Sequence, residues 1–434
     1  MTARWETGAG SVVLAERSSA LPVVGFGVSV RSGALHDPPG KEGLCRLMSR
    51  AMRMGTRGLK SPQVEERLDR LGAQLSISAS QSYLHAGGAV VKHNLEPFVD
   101  LVAELMLEPA LRPADIRQAQ REMLADLSSL VDDDRSLCSR HFRSQAFGDH
   151  PFGRPRGGSK QSVSALTRAD VLAAHARSFV GPNLVFGVWG DFQSAPLRTL
   201  IEKRFGRMPR RKAPTVDIAE PGFATGRRIV VVDKPERTQT QVLIGTLGLS
   251  AHDRDYVPLI VGNTGFGGLF SSRLNDEVRS KRGLSYGASS SFTLSRGRDL
   301  WAMHTFPSAT DARRCIELQL ELYDRWIERG LRAQELTACK RYLQKSHAFE
   351  IDTAAKRLDQ KLDIELFGWP RNHHSGFVDA VAATTLDQVG TALRRRLSRT
   401  DQLITLVATA SQIVPELERL PDVHNIDVIP FDRV

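Results

Sequence analysis

Cysteine, aromatic residues and long apolar runs are all scarce in this 434-residue chain. Its four cysteines, Cys45, Cys138, Cys315 and Cys339, lie far apart and form no CxxC or Cys/His ligand spacing. That excludes a disulfide-built scaffold and a structural zinc knot, and leaves free thiols as the expectation. The most apolar windows, Leu21 to Val30 and Val242 to Leu249, are interrupted and fall well short of the roughly 20 residues a membrane helix needs. Residues Met1 to Gly10 have neither the basic-then-apolar layout of a secretory signal nor the character of an organelle presequence, so the expected location is cytoplasmic, away from membranes. What is present is ordinary globular composition, 41% hydrophobic and 25% charged, in a chain long enough for more than one core.

The net charge of +10 is uneven: residues 1–212 hold 30 Lys and Arg against 21 Asp and Glu, and residues 213–434 hold 29 against 28. The arginines are scattered, aromatics make up 6% of the chain, and no DNA- or RNA-binding motif is present, so nucleic acid is not expected as a partner. A basic excess of this kind either favours acidic stretches of a peptide or serves solubility.

Periodicity is lost between Arg207 and Gly226, where Pro209, Pro214 and Pro221 fall among basic residues. This stretch reads as a linker between domains 1–212 and 227–434. Each side carries the same order of elements. Strands at Ser11–Ala15 and Val23–Val30 precede helices near Gly43–Met54 and Pro62–Leu71. A hairpin follows at Gln74–Ser80 and Tyr83–Val91, then helices to Phe179 and a strand at Leu184–Trp189. The second half repeats the series: strands at Arg228–Val232 and Gln241–Leu249, helices at Tyr256–Gly265 and Ser272–Arg279, a hairpin at Ser285–Thr293 and Asp299–Thr305, long helices from Asp311, and a strand at Gln402–Ala408. A tandem duplication follows, with an α+β fold in which each domain packs helices on one face of a mixed or antiparallel sheet.

The run Gly268-Leu269-Phe270-Ser271-Ser272-Arg273-Leu274, followed by Glu277-Val278-Arg279-Ser280-Lys281-Arg282-Gly283-Leu284-Ser285-Tyr286, resembles the second-half signature of insulinase/pitrilysin-type zinc metallopeptidases. Gly43-Leu44, Gly55-Thr56, Pro109 to Leu111, Pro151-Phe152-Gly153, Gly158, Pro182-Asn183 and Gly190-Asp191 fit the same template in order, so the resemblance covers nearly the whole chain. It implies paired α+β domains that close around unfolded peptides.

The family's HxxEH motif, two zinc-binding His one turn apart and a Glu that activates water, falls here on Arg46, Ser49 and Arg50. A guanidinium stays protonated and offers no lone pair, and Ser49 lacks the basicity to take a proton from water. The third-ligand position falls at Asp126 or Leu127. Elsewhere, His373-His374 are adjacent and diverge, while His85 and His93 have no Glu at a useful spacing. No metal and no other cofactor is therefore expected on this chain; by the resemblance, zinc belongs to a homologous HxxEH-bearing partner subunit.

The second-half signature is complete where the first is not. Gly283 should end the helix that carries Arg279, leaving Tyr286 at the start of the next strand, and such a junction can aim both side chains into one cavity. The resemblance gives Arg279 the task of gripping a substrate carbonyl or carboxylate and Tyr286 that of donating to the oxyanion of the tetrahedral intermediate. The plainer alternative makes Arg279 a surface cation and Tyr286 a packed strand aromatic. The glycine-rich run Gly262 to Gly268 lacks a phosphate loop's Gly-Lys-Ser/Thr ending and reads as a hinge or substrate-contacting loop. Two functions compete: the zinc-free subunit of a heterodimeric peptidase acting on unfolded peptides, inactive alone, or an inactive scaffold or peptide-binding protein.

Overall fold

The computed structural model describes residues 2–433. The chain forms two compact units, one of Met1–Leu127, Pro155–Asp217 and Phe349–Trp369, the other of Ser128–Arg154, Ile218–Ala348 and Pro370–Val434. They differ from the contiguous halves 1–212 and 227–434 in two exchanged segments: 128–154 joins the second unit and 349–369 the first.

The strands and helices of the first half are β1 (Ala3–Glu6), β2 (Val12–Arg17), β3 (Val23–Val30), α1 (Leu44–Arg53), α2 (Ser61–Leu71), β4 (Gln74–Ala79), β5 (Leu84–Val91), α3 (Leu95–Leu107), α4 (Pro113–Ser129), α5 (Asp134–Phe147), α6 (Lys160–Ala165), α7 (Arg168–Ser178), β6 (Leu184–Gly190) and α8 (Ser194–Phe205). The second half holds β7 (Arg227–Asp233), β8 (Gln241–Leu247), α9 (Tyr256–Asn263), α10 (Arg273–Asn275), β9 (Ser285–Phe292), β10 (Leu300–Pro307), α11 (Ala312–Arg329), α12 (Ala333–Ser346), α13 (Ala354–Phe367), α14 (Phe377–Ala383), α15 (Leu386–Arg396), β11 (Gln402–Ala408), α16 (Ala410–Leu417) and β12 (Val423–Pro430).

Each unit is built on a six-stranded mixed sheet, in the orders β1-β2-β6-β3-β5-β4 and β12-β7-β11-β8-β10-β9. Apart from its first strand, each order is the other's counterpart, β2-β6-β3-β5-β4 matching β7-β11-β8-β10-β9. In both, a parallel pair (β2 with β6, β7 with β11) adjoins antiparallel strands that end in an open edge, β4 or β9. This shared topology is what a duplication of one fold produces.

The α+β class and the mixed sheets are as expected, and most helices of each unit cover one sheet face. The opposite face is also covered, by a helix from the other half of the sequence. In the first unit Val13 and Val188 face the main core, while Val12, Leu14 and Val185 face Leu358 and Leu366 of α13. In the second, Ile229, Val231, Ile404 and Leu406 face the main core, and Val232 and Val407 meet Leu137 and Cys138 of α5. Burial on both faces explains why β2 and β11 read as continuous apolar runs rather than alternating ones.

Two glycines make room for these helices. A Cβ on Gly187 would stand 2.9 Å from Leu362 Cδ1 of α13, and one on Gly245 would stand 2.7 Å from Phe142 Cζ of α5. Ion pairs then fix each helix: Arg357 to Glu16 at 2.8 Å for α13, and Arg143 to the buried Asp299 at 2.9 and 3.1 Å for α5. All four cysteines are buried free thiols. No described helix is long and apolar enough to cross a membrane.

Candidate functional site

Helix α1 buries Leu44, Leu47, Met48, Ala51 and Met52 in the core of the first unit and turns its arginines the other way. Its start is held by Asp37, whose carboxylate accepts from the amides of Gly43 at 3.0 Å and Cys45 at 2.9 Å. Burial, opposed by those two amides, pushes the Asp37 carboxyl up to about 7.

On the outward side Arg46 Nη2 donates to Asp126 Oδ2 at 2.8 Å, and Arg50 Nη2 donates to the same oxygen. Leu127 is buried in the core, so Asp126 is the α4 residue that meets the motif positions. Ser49 is buried and spends its hydroxyl on the Arg46 carbonyl at 2.8 Å. One carboxylate bridges two guanidiniums where two imidazoles and a second carboxylate would be needed, and both of its neighbours repel a cation. The donor set does not fit zinc. Among the described residues no group of three or more His, Cys, Asp and Glu is placed to hold a metal ion. His85 Nδ1 lies 2.9 Å from Ser29 Oγ, and His373 packs on Tyr256 with ring centroids 4.6 Å apart.

The second unit assembles a different site from three consecutive pieces of chain. First, α9 ends in a π-helical turn, Thr264–Gly268, in which Thr264, Gly265, Phe266 and Gly267 are buried. The turn is pinned rather than hinge-like: Asn263 Nδ2 donates to the Ser290 carbonyl, and Asn263 Oδ1 accepts from Ser290 Oγ and Trp301 Nε1. A Cβ on Gly267 would fall 2.2 Å from Ser290 Oγ, so the residue must be glycine for the turn to lie on β9. Second, α10 continues as a π-helix over Asp276–Lys281 that carries Arg279. Gly283, at φ +61°, closes it, with the Gly283 amide donating to the Arg279 carbonyl and the Leu284 amide to Val278. Third, β9 begins at once and presents Tyr286 as its second residue.

Arg279 and Tyr286 are thereby brought together. The Arg279 guanidinium carbon stands 4.6 Å from the centre of the Phe270 ring and 5.0 Å from that of Tyr286, a cation in contact with two aromatic rings. The phenol is 79% exposed and Phe270 is 75% exposed. Asn275 ties the pieces together, donating to the Phe270 carbonyl at 2.6 Å and accepting from the Ala288 amide at 3.2 Å. These residues line an open cavity of about 510 Å³ together with Arg135, His304 and Phe306. His304 Nε2 donates to Gln241 Oε1 at 2.9 Å, and burial together with the charge of Arg135 lowers its pKa.

Anchoring comes from Arg273 at the start of α10, which pairs bidentately with Glu335 of α12 and also donates to the Gly330 carbonyl at 2.9 Å. Sequence reasoning missed Arg135, because it lies on α5, a helix of the first half that packs in the second unit. It also missed Glu335, and gave no role to Arg273, although Arg273 lies within the quoted signature.

A family model described as Insulinase (Peptidase family M16) matches residues 12–160, and one described as Peptidase M16 inactive domain matches residues 165–343. An uncharacterized zinc protease of Mycobacterium leprae is 28% identical over 65% of this chain and 64% of its own length. A Helicobacter pylori protein called non-peptidase homolog YmxG is 20% identical over 91% of each chain. The crystal structure of a peptidase M16 inactive domain from Pseudomonas fluorescens superposes with a TM-score of 0.86 at 23% identity, covering 94% of this chain and 98% of that one. With both halves matched in order by models of one family, and with Arg46, Ser49 and Arg50 at the HxxEH positions, this chain belongs to the insulinase-type M16 family as a member without the zinc motif.

Proposed function

We propose that this chain is the metal-free subunit of a two-chain peptidase, binding an extended peptide and lending Arg279 and Tyr286 to cleavage at the zinc of an HxxEH-bearing homologue. The observation that carries the reading is the pair itself: Arg279 lies against Phe270 and an exposed Tyr286 in the lining of an open cavity, beside the open edge of β9. An extended peptide adding to such an edge would find backbone partners along the strand. The phenol would donate to the oxyanion of the tetrahedral intermediate, and the guanidinium would hold a substrate carbonyl or carboxylate by two parallel bonds. The Arg46–Asp126–Arg50 cluster offers no water-activating base, which supports inactivity of the chain alone.

A second reading, an inactive scaffold or peptide-binding protein, is favoured by the same cluster and by the name of the Helicobacter relative. Peptide hydrolysis separates the two. This chain, an HxxEH-bearing homologue, their mixture, and the mixture made with Tyr286→Phe are assayed side by side. Activity confined to the mixture, with kcat reduced on the order of a hundredfold by the lost oxyanion donor, supports the subunit reading. A mixture no faster than the homologue alone supports the scaffold.

A further inference from the structure

The cavity beside Tyr286 is lined by two guanidiniums, Arg135 and Arg279, and by no Asp or Glu. Neither guanidinium has an acidic hydrogen-bond or salt-bridge partner among the described residues, although carboxylates are close by in sequence. Those carboxylates are already engaged. Asp276 and Glu277 pair with Lys281, and Glu277 also pairs with Arg282. Asp134 pairs with Lys234 and Arg237. Asp133 caps α5, accepting from the amides of Arg135 and Ser136, and its charge interaction with Arg135 acts outside the cavity lining. Two cations are thus left facing one concave surface with no neutralising group in its lining.

Arg279 is also oriented in advance. The Phe270 and Tyr286 rings lie 4.6 and 5.0 Å from its guanidinium carbon, contacts that restrain the planar group while leaving its N–H edge without a hydrogen-bond partner among the described residues. That edge is the one that makes parallel bonds to a carboxylate, and restraint before binding lowers the entropy lost on binding. His304, kept toward its neutral form, adds no competing charge.

We propose that this cavity is a carboxylate subsite, in which Arg135 and Arg279 together receive an acidic side chain or the C-terminal carboxylate of the bound peptide. The ligand class of the chain is then an acidic peptide, and Arg135 is a specificity residue. The inference rests on the peptide-binding reading above.

The test is direct binding to the full chain alone, followed by fluorescence anisotropy. Three labelled peptides share one neutral sequence: one with a central Glu and blocked ends, its Gln counterpart with blocked ends, and the Gln counterpart with a free C-terminal carboxylate. The protein is compared with Arg135→Gln, a change at an exposed position whose fold is checked by thermal melting.

At least one carboxylate peptide should bind about tenfold more tightly than the blocked Gln peptide, a difference of about 1.4 kcal/mol, and the advantage should shrink at high salt. Whichever carboxylate gives it identifies the source. Arg135→Gln should bring the ratio below about twofold. Equal binding of all three peptides, or a preference that survives Arg135→Gln, overturns the subsite and leaves peptide binding standing. If none of the three binds, the peptide-binding reading fails and the subsite with it.

Discussion

Replacing Glu335 by Gln should loosen the turn that carries Arg279, and its cost can be worked out. Arg273 and Glu335 form a bidentate pair with side-chain exposures of 21% and 16%, and Glu335 also accepts from the Arg332 side chain and amide. Burial raises the Glu335 carboxyl, but the bonds from Arg273 and Arg332 outweigh it and hold it down at about 2. Removing one partner of a fully buried pair costs about 3–5 kcal/mol; residual solvent access reduces that here to about 2–3 kcal/mol. For a cooperative unit of about 200 residues this corresponds to a fall in Tm of about 4–12 °C. A carboxyl whose folded pKa lies below its ordinary value stabilises the fold above that value and loses the contribution as pH falls toward the folded pKa. The gap between the native chain and Glu335→Gln should therefore be full at neutral pH and narrow between about pH 5 and pH 3. Thermal melts of both proteins across that range measure it. A gap below about 0.5 kcal/mol, or one that does not narrow in acid, would refute the anchoring argument.

Three other outcomes are expected besides the carboxylate preference already described. In the mixed peptidase assay, Tyr286→Phe should lower kcat far more than it raises KM, because the phenol acts on the transition state. The combined change Arg46→His, Ser49→Glu, Arg50→His and Asp126→Glu should retain about one zinc per chain after dialysis, measured by elemental analysis, since α1 and α4 already bring these positions together. No retained zinc would show that the backbone spacing has drifted from that of a metal site. Gly245→Ala should cost about 2–3 kcal/mol in urea denaturation, because its Cβ would meet the Trp301 carbonyl oxygen at 2.3 Å and Phe142 Cζ at 2.7 Å; a neutral result would mean that α5 is free to retreat.

Much of the architecture was legible because strong local signals agreed with the final packing. The strands at Val23–Val30 and Gln402–Ala408 have the ends that periodicity assigns them. The helix expected at Pro62–Leu71 begins one residue earlier, at Ser61, with Gln63 Oε1 accepting from the Lys60 amide at 2.8 Å. The exchanged helices were not legible. Helix α13 shows Leu358, Leu362 and Leu366 at a spacing of four among charged residues, and α5 shows Leu137, Cys138, His141 and Phe142. Each stripe is complete, but nothing in the sequence says that its sheet belongs to the opposite half. The same exchange hides Arg135. Of the candidate site, Arg279 and Tyr286 were legible through the ending Gly283 imposes, whereas the stack on Phe270 depends on a π-turn whose glycines read equally well as a hinge.

The exposure of Tyr286 bears on whether it is a packing residue. A strand aromatic that serves packing should bury most of its ring, since its stabilising effect scales with the apolar area withdrawn from water. Tyr286 is 79% exposed and Phe270 is 75% exposed, so neither contributes much to the core, and together they place apolar surface in solvent. Both rings contact Arg279, and a cation–π contact at an exposed site offsets only about 0.5–1 kcal/mol. The Arg46–Asp126–Arg50 cluster is the contrasting case, with both guanidiniums engaged by one carboxylate and the helix face beneath it fully packed. A scaffold explains the cluster and gives no reason for the open aromatic pair around an arginine that no acid neutralises, whereas a peptide-binding surface requires both its exposure and its unspent charge.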